Sequence, residues 1–170
     1  DIDFSQFNLV IDSANGAAYK IIRDIIPVNE STATFIANEP NGTNINENSG
    51  ATDTKNLIEI MREGQLGISF DGDADRLIMI DENKKVANGD VIIALLATYL
   101  SEIKQLDKES VVSTVMSNYG FKLAMKSNNF NLIETPVGDK YVAEAMKKHK
   151  VALGGEQSGH IIFSKYLPVG

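Results

Sequence analysis

Across its 170 residues this chain has no cysteine, which excludes disulfides and thiolate metal sites and fits a reducing cytosol. Long apolar runs are missing too. The longest, residues 91–97, is far too short to span a bilayer, and no basic-then-apolar leader opens the sequence. Positive charge is scarce: 16 Lys and Arg stand against 23 Asp and Glu, a formal net charge of −7, with no basic cluster to serve a nucleic acid. These absences point to a soluble, cytoplasmic protein that engages neither membrane nor nucleic acid. Its 43% hydrophobic content is enough to bury a core in one domain or two small ones.

Hydrophobic periodicity alternates between strand and helix along the chain. Residues 7–12 read as a strand, 13–16 as a turn, 17–26 as a helix ending near Pro27, and 32–37 as a second strand. A polar loop rich in Asn and Gly follows at 38–52, then a helix at 54–62. Strands at 66–70 and 77–81 are joined by so short a connection that they are expected to pair antiparallel, and an apolar helix at 89–103 closes this half. The second half repeats the alternation: strand 111–116, helix 119–126, strand 131–135, helix 139–149, strand 151–154 and strand 161–163. The polar segment 104–110 reads as the boundary. The expected fold class is α/β, with two tandem three-layer α/β/α units with mixed sheets, spanning 1–106 and 107–170. No closing helix follows before 167–170, so the second unit reads as incomplete.

The most informative stretch is LGISFDGDADRLIMID, residues 66–81, where Asp71, Asp73 and Asp75 recur at every second position between two apolar runs. Alternate side chains of extended backbone point the same way, so the three carboxylates are expected to converge once the chain curves at Gly72. Ionised carboxylates about 4 Å apart repel by roughly 4 kcal/mol per pair at an effective dielectric near 20. A divalent cation reverses that sign, and an all-oxygen donor set favours Mg²⁺, Mn²⁺ or Ca²⁺ over zinc or copper. The plainer alternative is a solvated acidic turn with its carboxylates splayed. An EF-hand also spaces acids this way and Glu82 falls at its twelfth position, but Arg76 stands where the loop needs Gly, and the flanks read as strands. A haloacid-dehalogenase-like phosphatase would make Asp71 a nucleophile, yet Asp75 stands where that family usually has Thr or Val.

Three segments in the second half and one in the first carry further candidates. In Gly154-Gly155-Glu156-Gln157-Ser158-Gly159-His160 the glycines allow close approach of a ligand, and Glu156, Ser158 and His160 alternate. One face would then offer a carboxylate, a hydroxyl and an imidazole, and a carboxylate can accept from two vicinal sugar hydroxyls. A polar hairpin with a surface histidine is the competing reading. At Val137-Gly138-Asp139-Lys140-Tyr141 the free N–H groups of a helix start and the Lys140 ammonium would suit a phosphate, against simple capping by Asp139 with a solvated lysine. Met116-Ser117-Asn118-Tyr119-Gly120 and Asp12-Ser13-Ala14-Asn15-Gly16 are similar junctions, which in isolation read as helix caps.

Taken together, FDGDADR (70–76), VGDKY (137–141) and GGEQSGH (154–160) resemble the α-D-phosphohexomutases. DSANGAAY (12–19), NEPNGTNIN (38–46) and VMSNYGF (115–121) turn the likeness toward the glucosamine branch and away from phosphomannomutase and phosphoglucomutase. The resemblance implies a four-domain isomerase in which a phosphoserine passes its phosphoryl group to a sugar phosphate, and a bisphosphate reorients and returns the other. For this branch the interconversion is of glucosamine 6-phosphate and glucosamine 1-phosphate, a step feeding amino-sugar and cell-wall precursors. It implies Mg²⁺ held by Asp71, Asp73 and Asp75 with a phosphoserine oxygen, and Arg76 beside the transferring group. It further implies hydroxyl binding by Glu156 and Ser158, His160 close to the transfer or the sugar, and Lys140 as a phosphate ligand.

Departures from the family pattern sharpen the expectation. No Ser precedes a His, the C-terminal phosphate loop is absent, and Pro136 and Val137 stand where several relatives carry a basic residue. The chain therefore reads as the second domain and most of the third, with the N- and C-terminal domains of the same protein as its partners and no activity by itself. A non-catalytic module binding Mg²⁺ or a sugar phosphate through the same loops is the alternative of a different class.

Overall fold

The structure, a computed structural model, describes residues 4–26 and 32–166. Pro27, the expected helix stop, and residues 167–170 lie outside them. The chain divides into two compact units, Asp1–Ala87 and Asn88–Gly170.

In the first unit β1 (Leu9–Asp12) leads to α1 (Ala18–Ile25), β2 (Ala33–Ile36), α2 (Lys55–Ile60), β3 (Leu66–Phe70), β4 (Leu77–Ile80) and β5 (Val86–Ala87). The sheet order is β2-β1-β3-β4-β5. β2 and β3 run parallel to β1, and β4 returns antiparallel beside β3, as the short 71–76 connection requires. Strand alternation divides the core between two faces. Leu9 and Ile11 of β1 pack with Ile22 of α1 and Ile68 of β3, while Val10 packs with Leu57 of α2 and with Ile78 and Ile80 of β4. Leu57 and Ile80 are wholly buried, each contributing about 1.5–3 kcal/mol over an exposed position.

The second unit comprises α3 (Gly89–Glu102), β6 (Ser110–Thr114), α4 (Tyr119–Ser127), β7 (Asn131–Thr135), α5 (Asp139–His149), β8 (Leu153–Gly155) and β9 (Ile161–Phe163). Its sheet runs β7-β6-β8-β9, parallel except for β9. Val111 faces α3 and α4 through Ile93, Ala97, Phe121 and Met125; its neighbour Val112 faces Val142 and Met146 of α5. Both units are therefore three-layered, with mixed sheets.

The boundary is the correction. The apolar helix expected to close a first unit at 106 is α3, and its Ile93, Ala97 and Leu100 build the second core with Val111 and Leu153. The division falls at Ala87 and Asn88, directly after β5, a two-residue strand too short to show periodicity. Among the described residues no helix is long and apolar enough to cross a membrane.

Candidate functional site

The aspartate loop joins β3 to β4. Asp71, Asp73 and Asp75 each offer a carboxylate oxygen, and these oxygens lie within 4.8 Å of one another. Their convergence does not come from alternation along a strand. The backbone turns tightly, with the Ala74 N–H donating to the Asp71 carbonyl at 3.1 Å and Ala74 itself left-handed at φ 64°. Gly72 is a central residue of that turn, as expected, and also a clearance: a Cβ there would lie 2.7 Å from Asn46 Nδ2 and 2.8 Å from Ile45 Cδ1.

Asp71 is buried, Asp75 half-buried and Asp73 exposed. Arg76 donates its backbone N–H to Asp71 Oδ1 at 3.1 Å, and its Nε lies 3.6 Å from Asp71 Oδ2 and 3.8 Å from Asp75 Oδ1. Burial raises the Asp71 carboxyl above its ordinary pKa, the Arg76 N–H pulls it down, and the neighbouring charges of Asp75 and Asp73 push it up again. Three converging carboxylates, two of them beside the Arg76 guanidinium, form an all-oxygen donor set that fits a hard divalent cation.

The loop rests on a cradle. Ala17 donates its N–H to the Gly72 carbonyl at 2.8 Å, and Gly16 approaches so closely that a Cβ would fall 2.2 Å from the same oxygen. The β1–α1 turn that includes Gly16 is fixed by Asp12, a fully buried carboxylate accepting from Ala14 N–H and Gly50 N–H, each at 2.8 Å. Asp12 makes no cap to α1, contrary to the capping role its motif suggests. Burial raises its pKa despite those two bonds. Asn46 donates to the Ala14 carbonyl at 2.9 Å, and Asn15 reaches Glu39 and Asn44. Two segments that the sequence offered as branch markers, DSANG and NEPNGTNIN, thus form the scaffold of the aspartate loop.

In the second unit the loop between β8 and β9 is also a tight turn: Glu156 N–H donates to the His160 carbonyl at 2.8 Å, and Gly159 N–H to the Glu156 carbonyl at 3.0 Å. Glu156, Ser158 and His160 therefore alternate along a turn and not along extended backbone. Ser158 is exposed, Glu156 half-buried and His160 buried. Glu156 Oε1 instead accepts from Gly138 N–H at 3.0 Å, which joins this loop to the start of α5. That bond occupies one of the N–H groups expected to face a phosphate. Asp139 Oδ1 accepts from Lys140 N–H at 2.7 Å, and the exposed Lys140 Nζ lies 4.0 Å from Glu144. Gly154 and Gly155 serve packing: a Cβ on Gly154 would meet Met146 Sδ at 2.7 Å, and one on Gly155 the His160 carbonyl at 2.5 Å.

Asn118 caps α4, as expected, accepting from Phe121 N–H at 2.8 Å. Its own N–H donates to Asp90 Oδ2 at 2.7 Å, and Ser113 Oγ bridges Ser117 Oγ and the Gly155 carbonyl at 2.6 and 3.0 Å. Asp90 and Ser113 escaped sequence reasoning because one sits inside an apolar helix pattern and the other inside a strand.

Residues 88–170 match the phosphoglucomutase/phosphomannomutase α/β/α domain III. The whole chain aligns with phosphoglucosamine mutase of Campylobacter curvus at 44% identity, covering 39% of that protein. It also aligns along its full length with phosphoglucosamine mutase of Clostridium kluyveri at 46% identity, covering 38% of it. A phosphoglucomutase/phosphomannomutase family protein from Burkholderia thailandensis shares the fold, with a TM-score of 0.75 at 20% identity over 92% of this chain and 35% of that one. The chain thus spans about two fifths of the length of the curated relatives it matches.

Proposed function

Because this chain belongs to the α-D-phosphohexomutase family, we propose that the protein containing it is a phosphoglucosamine mutase, an isomerase interconverting glucosamine 6-phosphate and glucosamine 1-phosphate in the cytosol. The observation that carries this reading is identity of 44–46% along the entire chain to relatives of that one name, together with the converging aspartates.

Asp71, Asp73 and Asp75 would hold Mg²⁺, which when bound neutralises charge on a transferring phosphoryl group. Arg76, already turned toward Asp71 and Asp75, holds a positive charge beside that position. Glu156 and Ser158 bind sugar hydroxyls, with Glu156 oriented by the Gly138 N–H. His160 lies close to the transfer or the sugar, and Lys140 draws in the substrate phosphate. The nucleophilic phosphoserine and a further phosphate-binding loop belong to the remaining domains of the same protein.

The reading is tested on the complete reading frame and its product. Upstream sequence should contain a Ser-His loop, and the purified protein should turn over glucosamine phosphate in preference to glucose or mannose phosphates. A frame without that loop would defeat the mutase assignment, and equal turnover of the three sugars would defeat the amino-sugar preference.

A further inference from the structure

The start of α3 touches the Glu156–His160 loop main chain to main chain. Gly89 N–H donates to the Gln157 carbonyl at 3.0 Å, and a Cβ at Gly89 would lie 2.0 Å from the Glu156 carbonyl oxygen and 2.8 Å from Gly159 N. No rotamer change relieves such a clash, because the obstructing atoms are backbone. One turn further along, the fully buried Ile93 packs under the end of β8, where the loop leaves the sheet: its Cδ1 lies 3.0 Å from where a Gly155 Cβ would be. Beside Gly89, the buried Asp90 carboxylate receives the Asn118 N–H. Consecutive residues of α3 therefore hold two loops of the second unit, and Glu156 in turn holds the start of α5.

We propose that Gly89 is a positioning residue for substrate binding: its missing side chain seats α3 against the Glu156–Gly159 backbone and fixes where the Glu156 carboxylate and Ser158 hydroxyl meet the sugar. This rests on the sugar-binding reading of that loop given above. Gly89 touches no substrate itself. Its effect on binding is transmitted through the position of the loop backbone. Because the aspartate loop belongs to the other unit, a substitution here leaves Mg²⁺ affinity alone.

The test uses the full-length protein and compares Gly89→Ala with Asn88→Ala. The latter removes the α3 cap, in which Asn88 Oδ1 accepts from Val91 N–H, without adding a Cβ against the loop. Gly89→Ala should raise KM for glucosamine phosphate about tenfold or more while changing kcat far less, with Mg²⁺ affinity by calorimetry unchanged. Asn88→Ala should lower Tm and leave KM alone. An unaltered KM in folded Gly89→Ala, or equal KM increases in both variants, would overturn the proposal. Should Gly89→Ala fail to fold, Ile93→Val removes one methyl from beneath the loop and should raise KM several-fold; no change there would count against the proposal. A wild-type protein without hexosamine turnover would defeat the functional reading instead. The amide resonances of Gln157 and Gly159 then decide positioning alone: displacement in Gly89→Ala or Ile93→Val supports it, and unmoved resonances refute it.

Discussion

Gly50 donates its backbone N–H to the Asp12 carboxylate at 2.8 Å, although the two residues lie 38 positions apart in sequence. The other carboxylate oxygen accepts from Ala14, so one buried side chain fastens the β1–α1 turn to the Asn-rich loop. In Asp12→Asn only one oxygen can accept, and one N–H is left facing an amide donor. The loss should be about 1–3 kcal/mol, read as a lower urea midpoint with unchanged slope. An unshifted midpoint would show that this pair of bonds does not stabilise the fold.

Metal binding should separate charge relief from packing. At 4.8 Å two carboxylates repel by about 1 kcal/mol in a water-like dielectric and about 3.5 kcal/mol at an effective dielectric near 20. Asp73→Ala should therefore leave the metal-free chain as stable as wild type or more so, and abolish the gain in Tm on adding Mg²⁺. In wild type that gain corresponds to about 2.7 kcal/mol at a hundredfold excess over Kd. Calorimetry on this chain should find weak binding, since a phosphoryl oxygen is expected to complete the site. Tight binding indifferent to Asp73→Ala would contradict the assignment.

The pH dependence has a definite sign. The Asp71 carboxyl is raised in the folded state, chiefly by burial, so the folded protein holds its proton more tightly than the unfolded chain does. Its contribution to metal-free stability is fully present below the ordinary carboxylate pKa and is lost as pH rises through the raised value. Denaturation of wild type against Asp71→Asn across that window should show wild type losing ground as pH increases. Added Mg²⁺ should reverse the trend in wild type only, because it binds the ionised carboxylate.

Glu156 tests the sugar loop directly. In the full-length enzyme Glu156→Ala should reduce kcat/KM for glucosamine phosphate about 100-fold, chiefly by raising KM as the sugar loses its carboxylate partner. The accompanying stability loss should be near 1 kcal/mol, or roughly 2–4 °C in Tm for a chain of this size, from the broken bond to Gly138. Glu156→Gln keeps an acceptor for Gly138 and should keep the Tm. A collapse of thermal stability in Glu156→Ala would make the residue structural.

Elements with strong periodicity were legible in the sequence: β3, β7, α5 and β9 begin and end where the pattern of apolar residues puts them. The clustering of Asp71, Asp73 and Asp75 was legible as well, but its cause was not. The curve at Gly72 was expected, but 71–74 form a full turn closed by a left-handed Ala74, and no local propensity announces an alanine at positive φ. The segment 156–160 likewise turns where the alternation of Glu156, Ser158 and His160 suggests extended backbone. What sequence could not supply was contact between distant segments. Asp12 looked like a cap because Asp before a helix usually is one, and only the fold brings Gly50 to it. Likewise Gly89 looked like an ordinary helix start until the loop at 156–159 was seen against it.

Gly16 and Gly72 meet in the cradle with different kinds of crowding around them. The atoms that would obstruct a Cβ on Gly16 are the main-chain O, Cα and C of Gly72, whereas those nearest Gly72 are the side-chain ends of Asn46 and Ile45. A genetic asymmetry follows. A loss of function from Gly72→Ala can be suppressed by trimming Ile45 or Asn46 at a second site, but no side-chain substitution makes room for Gly16→Ala. Revertants of the first should therefore map to residues 45 and 46, and revertants of the second only to codon 16.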